Sequence, residues 1–276
     1  MPEFFFKNGC ATIKNVDNFD LAQTLDCGQA FRWHENSDGS WSGIAYGKYI
    51  TVSKKDNTVF IHNTTEDEFR GIWRTYFDFD RDYSGIIRAV SDNETVKKVA
   101  RFSSGIRVLN QEPFETLCSF IISQNNNIPR IKGIIERLCE NFGEKINGGY
   151  TFPTAGRLAS LTLEDLAVLR AGFRAKYILD AAKKVSGGEI VLEDLIGIDI
   201  AKARNTLLKI NGVGPKVADC TLLFSLHHIT AFPQDIWIKK AMAELFNGTL
   251  PESSKPFAGI VQQYIFYYMR VCEYSR

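Results

Sequence analysis

Leu207-Leu208-Lys209-Ile210-Asn211-Gly212-Val213-Gly214-Pro215-Lys216-Val217-Ala218-Asp219-Cys220 is the stretch around which the chain is organised. Upstream of it, Asp199 to Ile210 predicts a helix. Asp199 is placed to cap it, and the apolar Ile200, Ala203, Leu207 and Ile210 recur at three- and four-residue spacing. Pro215 suits the first position of a second helix, because the N–H it lacks would be unpaired there. Val217, Cys220, Thr221 and Phe224 form the inner stripe of that helix. Between the two, Asn-Gly-Val-Gly makes a hairpin whose glycines permit positive φ and close backbone approach. A Gly-flanked turn that opens a helix presents free N–H groups, so Gly212, Val213 and Gly214 form a phosphate-binding hairpin. Lys216 lies one residue further into the helix. Downstream, Phe232-Pro233-Gln234-Asp235 sets a lone carboxylate before a further helix, Ile236 to Phe246.

Hairpin, lysine and Pro-x-Asp together resemble the helix-hairpin-helix, Gly/Pro-Asp superfamily of DNA glycosylases. That resemblance implies DNA as partner, Lys216 as nucleophile and Asp235 as the carboxylate opposite a cationic sugar.

Composition is compatible with this reading and does not single it out. The 276 residues are 45% hydrophobic, enough for one large core or two modest ones. The net charge is only +1, but it is uneven. Residues 1–100 carry 12 Lys/Arg against 15 Asp/Glu, whereas residues 101–276 carry 21 against 17, so a phosphate-binding face belongs to the second part. The six cysteines contain no CxxC pair, which argues against structural zinc and an iron–sulfur cluster. The apolar run after Met1 is too short for a signal peptide, and no stretch reads as a membrane span. An intracellular, cytoplasmic and nucleoid-associated protein with reduced thiols is expected.

The fold class read from the pattern is α+β. Residues 1–108 form an N-terminal antiparallel β-sheet domain with helices, and residues 109–276 an all-helical helix-hairpin-helix glycosylase domain. In the first part, Ser42–Ser53 and Thr58–His62 predict strands turning at Lys55-Asp56-Asn57, and Asp67–Phe77 and Ser84–Arg101 predict helices. From Pro113 onward every segment predicts helix.

Further motifs narrow the resemblance to 8-oxoguanine DNA glycosylase/lyases. Gly28-Gln29-Ala30-Phe31-Arg32-Trp33, followed by Trp41-Ser42-Gly43, is similar to their N-terminal domain. There the residue matching Gly28 offers its carbonyl to the extra ring N–H of the oxidised base. Gln29, Phe31, Arg32 and Trp33 are read as fixing that loop. The resemblance places Asn125 and Arg130, from Asn125-Asn126-Asn127-Ile128-Pro129-Arg130, at the base left unpaired when the lesion flips out. It makes Phe173 a wedge and Arg174 a second donor to the orphaned base. Gln262 and Phe266, four apart on a C-terminal helix, match residues that read the pairing edge and stack on one face, and Cys220 matches the residue on the other face. Carbonyls of Leu208, Ile210 and Val213 match positions that hold a structural monovalent or divalent cation, and no cofactor is implied for catalysis.

Trp237 departs from the histidine of animal members, which bears on phosphate clamping. With the short N-terminus, it points to a bacterial or archaeal member. The activity implied is excision of 8-oxoguanine opposite cytosine and β-elimination through a lysine Schiff base, by a monomer. Two alternatives share the motifs: a glycosylase for alkylated or other oxidised bases, and a non-catalytic DNA-binding module.

Overall fold

The computed structural model describes residues 2–274. Its first part is one antiparallel sheet of β1 (Glu3–Lys7), β2 (Cys10–Lys14), β3 (Trp33–Glu35), β4 (Trp41–Ala45), β5 (Lys48–Lys55) and β6 (Thr58–His62), in the order β1-β2-β6-β5-β4-β3. The strand expected over Ser42–Ser53 is two strands. Tyr46 and Gly47 take φ of +50° and +68°, a tight reversal that pairs Ala45 with Lys48 and Trp41 with Val52. The β1–β2 hairpin, turning at Asn8-Gly9, was not expected.

Short α1 (Leu21–Leu25) interrupts the strands, and α2 (Glu66–Glu68), a π-helical turn (Phe69–Trp73) and α3 (Arg74–Tyr76) follow the sheet. The single helix expected over Ser84–Arg101 is α4 (Tyr83–Ala89) and α5 (Glu94–Phe102). Asn93 breaks it by accepting from the N–H groups of Thr95 and Val96 at 3.0 and 3.1 Å, an N-cap that starts a new helix.

The helical part comprises α6 (Pro113–Ser123), α7 (Ile128–Phe142), α8 (Ala155–Ala159), α9 (Arg174–Ser186), α10 (Ile200–Leu207), α11 (Pro215–Ser225), α12 (Ile236–Leu245) and α13 (Ala258–Tyr274). A two-stranded ribbon, Lys145–Ile146 with Gly149–Tyr150, follows α7. Among the described residues no helix is long and apolar enough to cross a membrane.

Two apolar clusters hold these parts. One lies on the sheet, where Trp33, Trp73, Tyr76 and Phe77 are buried and Trp33 Nε1 donates to the Tyr76 hydroxyl at 2.9 Å. The other joins α6, α7, α9, α11 and α13, and takes in α4 and α5 and also Cys27 and Phe31 from the loop before β3. Gln29 fastens that loop. Its amide donates to the carbonyls of Thr24 (2.9 Å) and Arg107 (2.8 Å), and its oxygen accepts from Leu109 N (2.9 Å). Arg32 pairs with Glu115 at 3.1 Å, and Phe31 meets Phe120 edge-on. These three side chains fix the loop, as the sequence led us to expect. Leaving any of those buried polar groups unpaired costs about 1–3 kcal/mol.

Candidate active site

The helical hairpin forms as its residues dictate. Asp199 accepts from Lys202 N at 3.0 Å, and Pro215 opens α11. Gly212 has φ +79°, and a Cβ there would stand 2.3 Å from the Tyr177 ring, so conformation and packing both demand glycine. Gly214 differs from expectation: it is extended at φ −96°, with nothing within 4 Å of a Cβ. Its bareness leaves room in front of the helix start. Asn211 ties the turn to α9, donating through N and Nδ2 to Asp180, each at 2.8 Å. Val213 N donates to Ile210 O at 3.0 Å, closing the turn whose carbonyls, with that of Leu208, are hard oxygen donors suited to a cation.

Lys216, half-buried in the first turn of α11, donates from Nζ to Ser123 Oγ at 3.1 Å and lies 4.9 Å from the centre of the Phe120 ring. Cys220 sits one turn further along. Burial pushes its thiol up to about 11, with Lys216 pulling it back and Asp235 adding to the rise. Asp235 caps α12, its Oδ1 accepting from Ile238 N at 2.9 Å.

The loop carrying Asp235 is joined to α13. Gln262, 4% exposed, donates Nε2 to the Pro233 carbonyl at 3.0 Å and accepts from Gln263 Nε2 at 2.8 Å. Each end of its amide keeps one free hydrogen-bonding position. Phe266, one turn along, meets Gly28 across 238 residues of sequence. A Cβ on Gly28, whose φ is +88°, would lie 3.5 Å from Phe266 Cε1. Helix α13 thus carries Gln262 and Phe266 to the Asp235 loop and to Gly28, which comes from the loop that Gln29 secures.

The second cluster stands beside Ser123. Asn126 donates to Ile122 O at 3.0 Å, and Asn127 caps α7 through Arg130 N at 3.0 Å. Asn125 is left exposed at φ +47°. Arg174 is 3% exposed and spends most of its donors on main chain. Nε bonds Gln124 O at 2.9 Å, Nη2 bonds Asn125 O at 2.8 Å and also Gln124 O, and Nη1 bonds Ala171 O at 3.2 Å. Burial, and then the charge of Arg130 beside it, lower its pKa. Phe173 is 50% exposed, stacked under the Arg174 guanidinium at 4.5 Å, on a loop where Arg170 and Gly172 both have positive φ. The loops of Asn125 and Phe173 are therefore one clamped unit. Sequence reasoning missed Ser123 and Phe120 as partners of Lys216, because nothing local relates positions 93 residues apart.

The comparisons with known proteins agree with this geometry. Residues 12–117 match the family described as "8-oxoguanine DNA glycosylase, N-terminal domain", and residues 118–256 the "HhH-GPD superfamily base excision DNA repair protein" family. A Saccharomyces cerevisiae protein named "N-glycosylase/DNA lyase" is 33% identical over 82% of this chain and 68% of its own length. Among solved structures, the Clostridium acetobutylicum 8-oxoguanine glycosylase/lyase "in complex with dsDNA containing cytosine opposite to 8-oxoG" is 41% identical. It superposes with a TM-score of 0.92 over 99% of this chain and 98% of that one. A protein solved as "MBOgg1 in complex with low affinity DNA ligand" is 40% identical, with a TM-score of 0.93 over 99% of each chain.

Proposed function

The chain belongs to the HhH-GPD superfamily of base excision DNA repair proteins, among its N-glycosylase/DNA lyases, and from that premise we propose the following reaction. The protein binds duplex DNA, flips out 8-oxoguanine paired with cytosine, excises it and nicks the abasic site.

The observation that carries the reading is that Gln262, one turn before the Phe266 that faces Gly28, bonds the Pro233 carbonyl two residues before Asp235, while Lys216 opens the second helix of the hairpin. The base must leave the stack, at a cost of a few kcal/mol, and it enters between Phe266 and Cys220. The Gly28 carbonyl accepts the N7–H that guanine lacks, and Gln262 reads the pairing edge. As the bond from N9 to C1′ breaks, positive charge builds on the sugar, and the Asp235 carboxylate opposes it. The Lys216 amine then bonds C1′. Breaking of the C1′–O4′ bond, with a proton passing from the amine to O4′, opens the sugar ring and leaves a Schiff base that acidifies the C2′ proton, whose loss expels the 3′ phosphate. Neither step calls on a cofactor. Phe173 fills the gap in the stack, while Asn125, Arg130 and Arg174 address the orphaned cytosine. Gly212, Val213 and Gly214 hold a backbone phosphate, and a cation on the carbonyls of Leu208, Ile210 and Val213 would neutralise it there.

Residues 1–108 supply the base-reading loop and residues 109–276 the chemistry. The enzyme works as a monomer on cytoplasmic, nucleoid DNA. Excision measured across a panel of damaged bases in one duplex, with borohydride present, tests the reading. The expected result is a covalent adduct with 8-oxoguanine duplex. Preference for alkylated bases, or binding without an adduct, would move it to one of the alternatives.

A further inference from the structure

Arg270 lies one helical turn beyond Phe266 on α13, so the two side chains share a face. Its Nη2 donates to the Asp26 carbonyl at 2.9 Å, and the Asp26 carboxylate stands 4.0 Å away. That bond fixes the plane of a guanidinium whose donors project in a rigid fork. The other amino group, Nη1, is buried and has no hydrogen-bond partner among the described residues. A desolvated charged donor without a partner is costly, which suggests an acceptor that arrives with a ligand. The position of Nη1 says where. It lies 3.8 Å from the point a Cβ on Gly28 would occupy, and Phe266 Cε1 lies 3.5 Å from the same point. The unused donor therefore stands beside Gly28, on the side that faces Phe266.

We propose that Arg270 is a specificity-determining residue whose Nη1 donates to the carbonyl oxygen at C8 of the flipped lesion, beside the N7–H taken by the Gly28 carbonyl. The inference rests on 8-oxoguanine being the substrate and on Gly28 reading its N7–H. Guanine carries C–H at position 8 and a bare acceptor at N7, so against guanine both protein groups stay unpaired. The two contacts have opposite polarity and touch adjacent atoms, which makes the pair selective for a ring urea edge. For this contact, Phe266 must yield its place against Gly28 when the base enters, so that Nη1 is reached.

A double-mutant cycle between residue and lesion atom tests this. Wild type and Arg270→Met are assayed in single turnover on duplexes holding 8-oxoguanine or 8-thioxoguanine opposite cytosine. Sulfur keeps the N7–H and replaces the oxygen with a poor acceptor. Rates are normalised to the enzyme that borohydride traps on abasic duplex, so misfolded variant is not counted. Arg270→Met is expected to slow 8-oxoguanine excision by about tenfold or more, as loss of a charge-assisted hydrogen bond implies, and to change the thioxo rate by less than about threefold. Equal loss on both lesions makes Arg270 only the clip between Asp26 and α13 and overturns this proposal alone. A wild type that excises neither lesion overturns the substrate reading, and this proposal with it.

Discussion

Lys216 Nζ donates to Ser123 Oγ at 3.1 Å, so the amine at the start of α11 rests on the last turn of α6. The Phe120 ring lies beneath it at 4.9 Å. These two contacts park the lysine. To attack, it must leave them.

Replacing Lys216 removes the proposed nucleophile without touching the hairpin proposed to grip phosphate. Lys216→Gln is expected to keep duplex binding within about threefold, since one contact among several is lost. Strand cleavage and borohydride trapping should both disappear. Trapping that persists in this variant would assign the Schiff base to another amine.

Asp235 has an observed cap and a proposed catalytic task, which one substitution separates. Asn can still cap α12 through its side-chain oxygen, as Asp235 does at 2.9 Å to Ile238 N, but it carries no charge to oppose the cationic sugar. Asp235→Asn should lower excision by at least about a hundredfold, equivalent to about 2.7 kcal/mol. The melting temperature should move far less. A collapse in melting temperature with activity per folded molecule intact would reduce Asp235 to a cap.

Much of this was legible in local sequence. The caps at Asp199 and Asp235, the proline at the start of α11 and the helical hairpin are set by residues within four positions of one another, and spacing reports such relations directly. The turn at Tyr46-Gly47 was not legible, because an apolar alternation continues through it and only the backbone shows two positive φ values. Nor was the meeting of Gly28 with Phe266, or of Arg174 with the carbonyls of Gln124 and Asn125. Those pairings depend on how helices pack, which periodicity does not encode. The roles of Gly28 and Phe266 came from the family resemblance, and packing supplied their contact.

Glu112, at the entry to α6, gives a pH test of the fold. Burial pushes its carboxyl up to about 7, with Glu115 and Glu193 adding and Arg32 opposing. The native state therefore holds this proton more tightly than the unfolded chain, whose carboxyl titrates near 4.5. Its contribution to stability is fully present below that value and is lost as pH rises through about 7. Glu112→Gln should raise the melting temperature at pH 8 by a few degrees, for a gain on the order of 1–2 kcal/mol after solvent screening, and leave it unchanged at pH 4.5. A shift of the same size at both pH values would mean that packing, and not charge, is responsible.

The last prediction concerns the base opposite the lesion. Arg174 clamps the carbonyls of Gln124 and Asn125 and keeps an N–H of Nη1 in reserve, with Arg130 close enough to depress its pKa. Cytosine brings two acceptors on its pairing edge, whereas adenine and thymine cannot satisfy the same donors. An arginine donor left unpaired costs roughly 1–3 kcal/mol, so excision from an 8-oxoguanine:cytosine pair should outpace 8-oxoguanine:adenine by about ten- to a hundredfold. Arg174→Ala should narrow that ratio in two ways, by removing a donor and by releasing the loop that presents Asn125. If Arg174 served only as a phosphate contact or a loop brace, its loss would slow every duplex by the same factor and leave the ratio intact. Single-turnover rates for the four opposite bases, in wild type and variant, decide between the two. Rates already equal in the wild type would show that these residues do not read the opposite base.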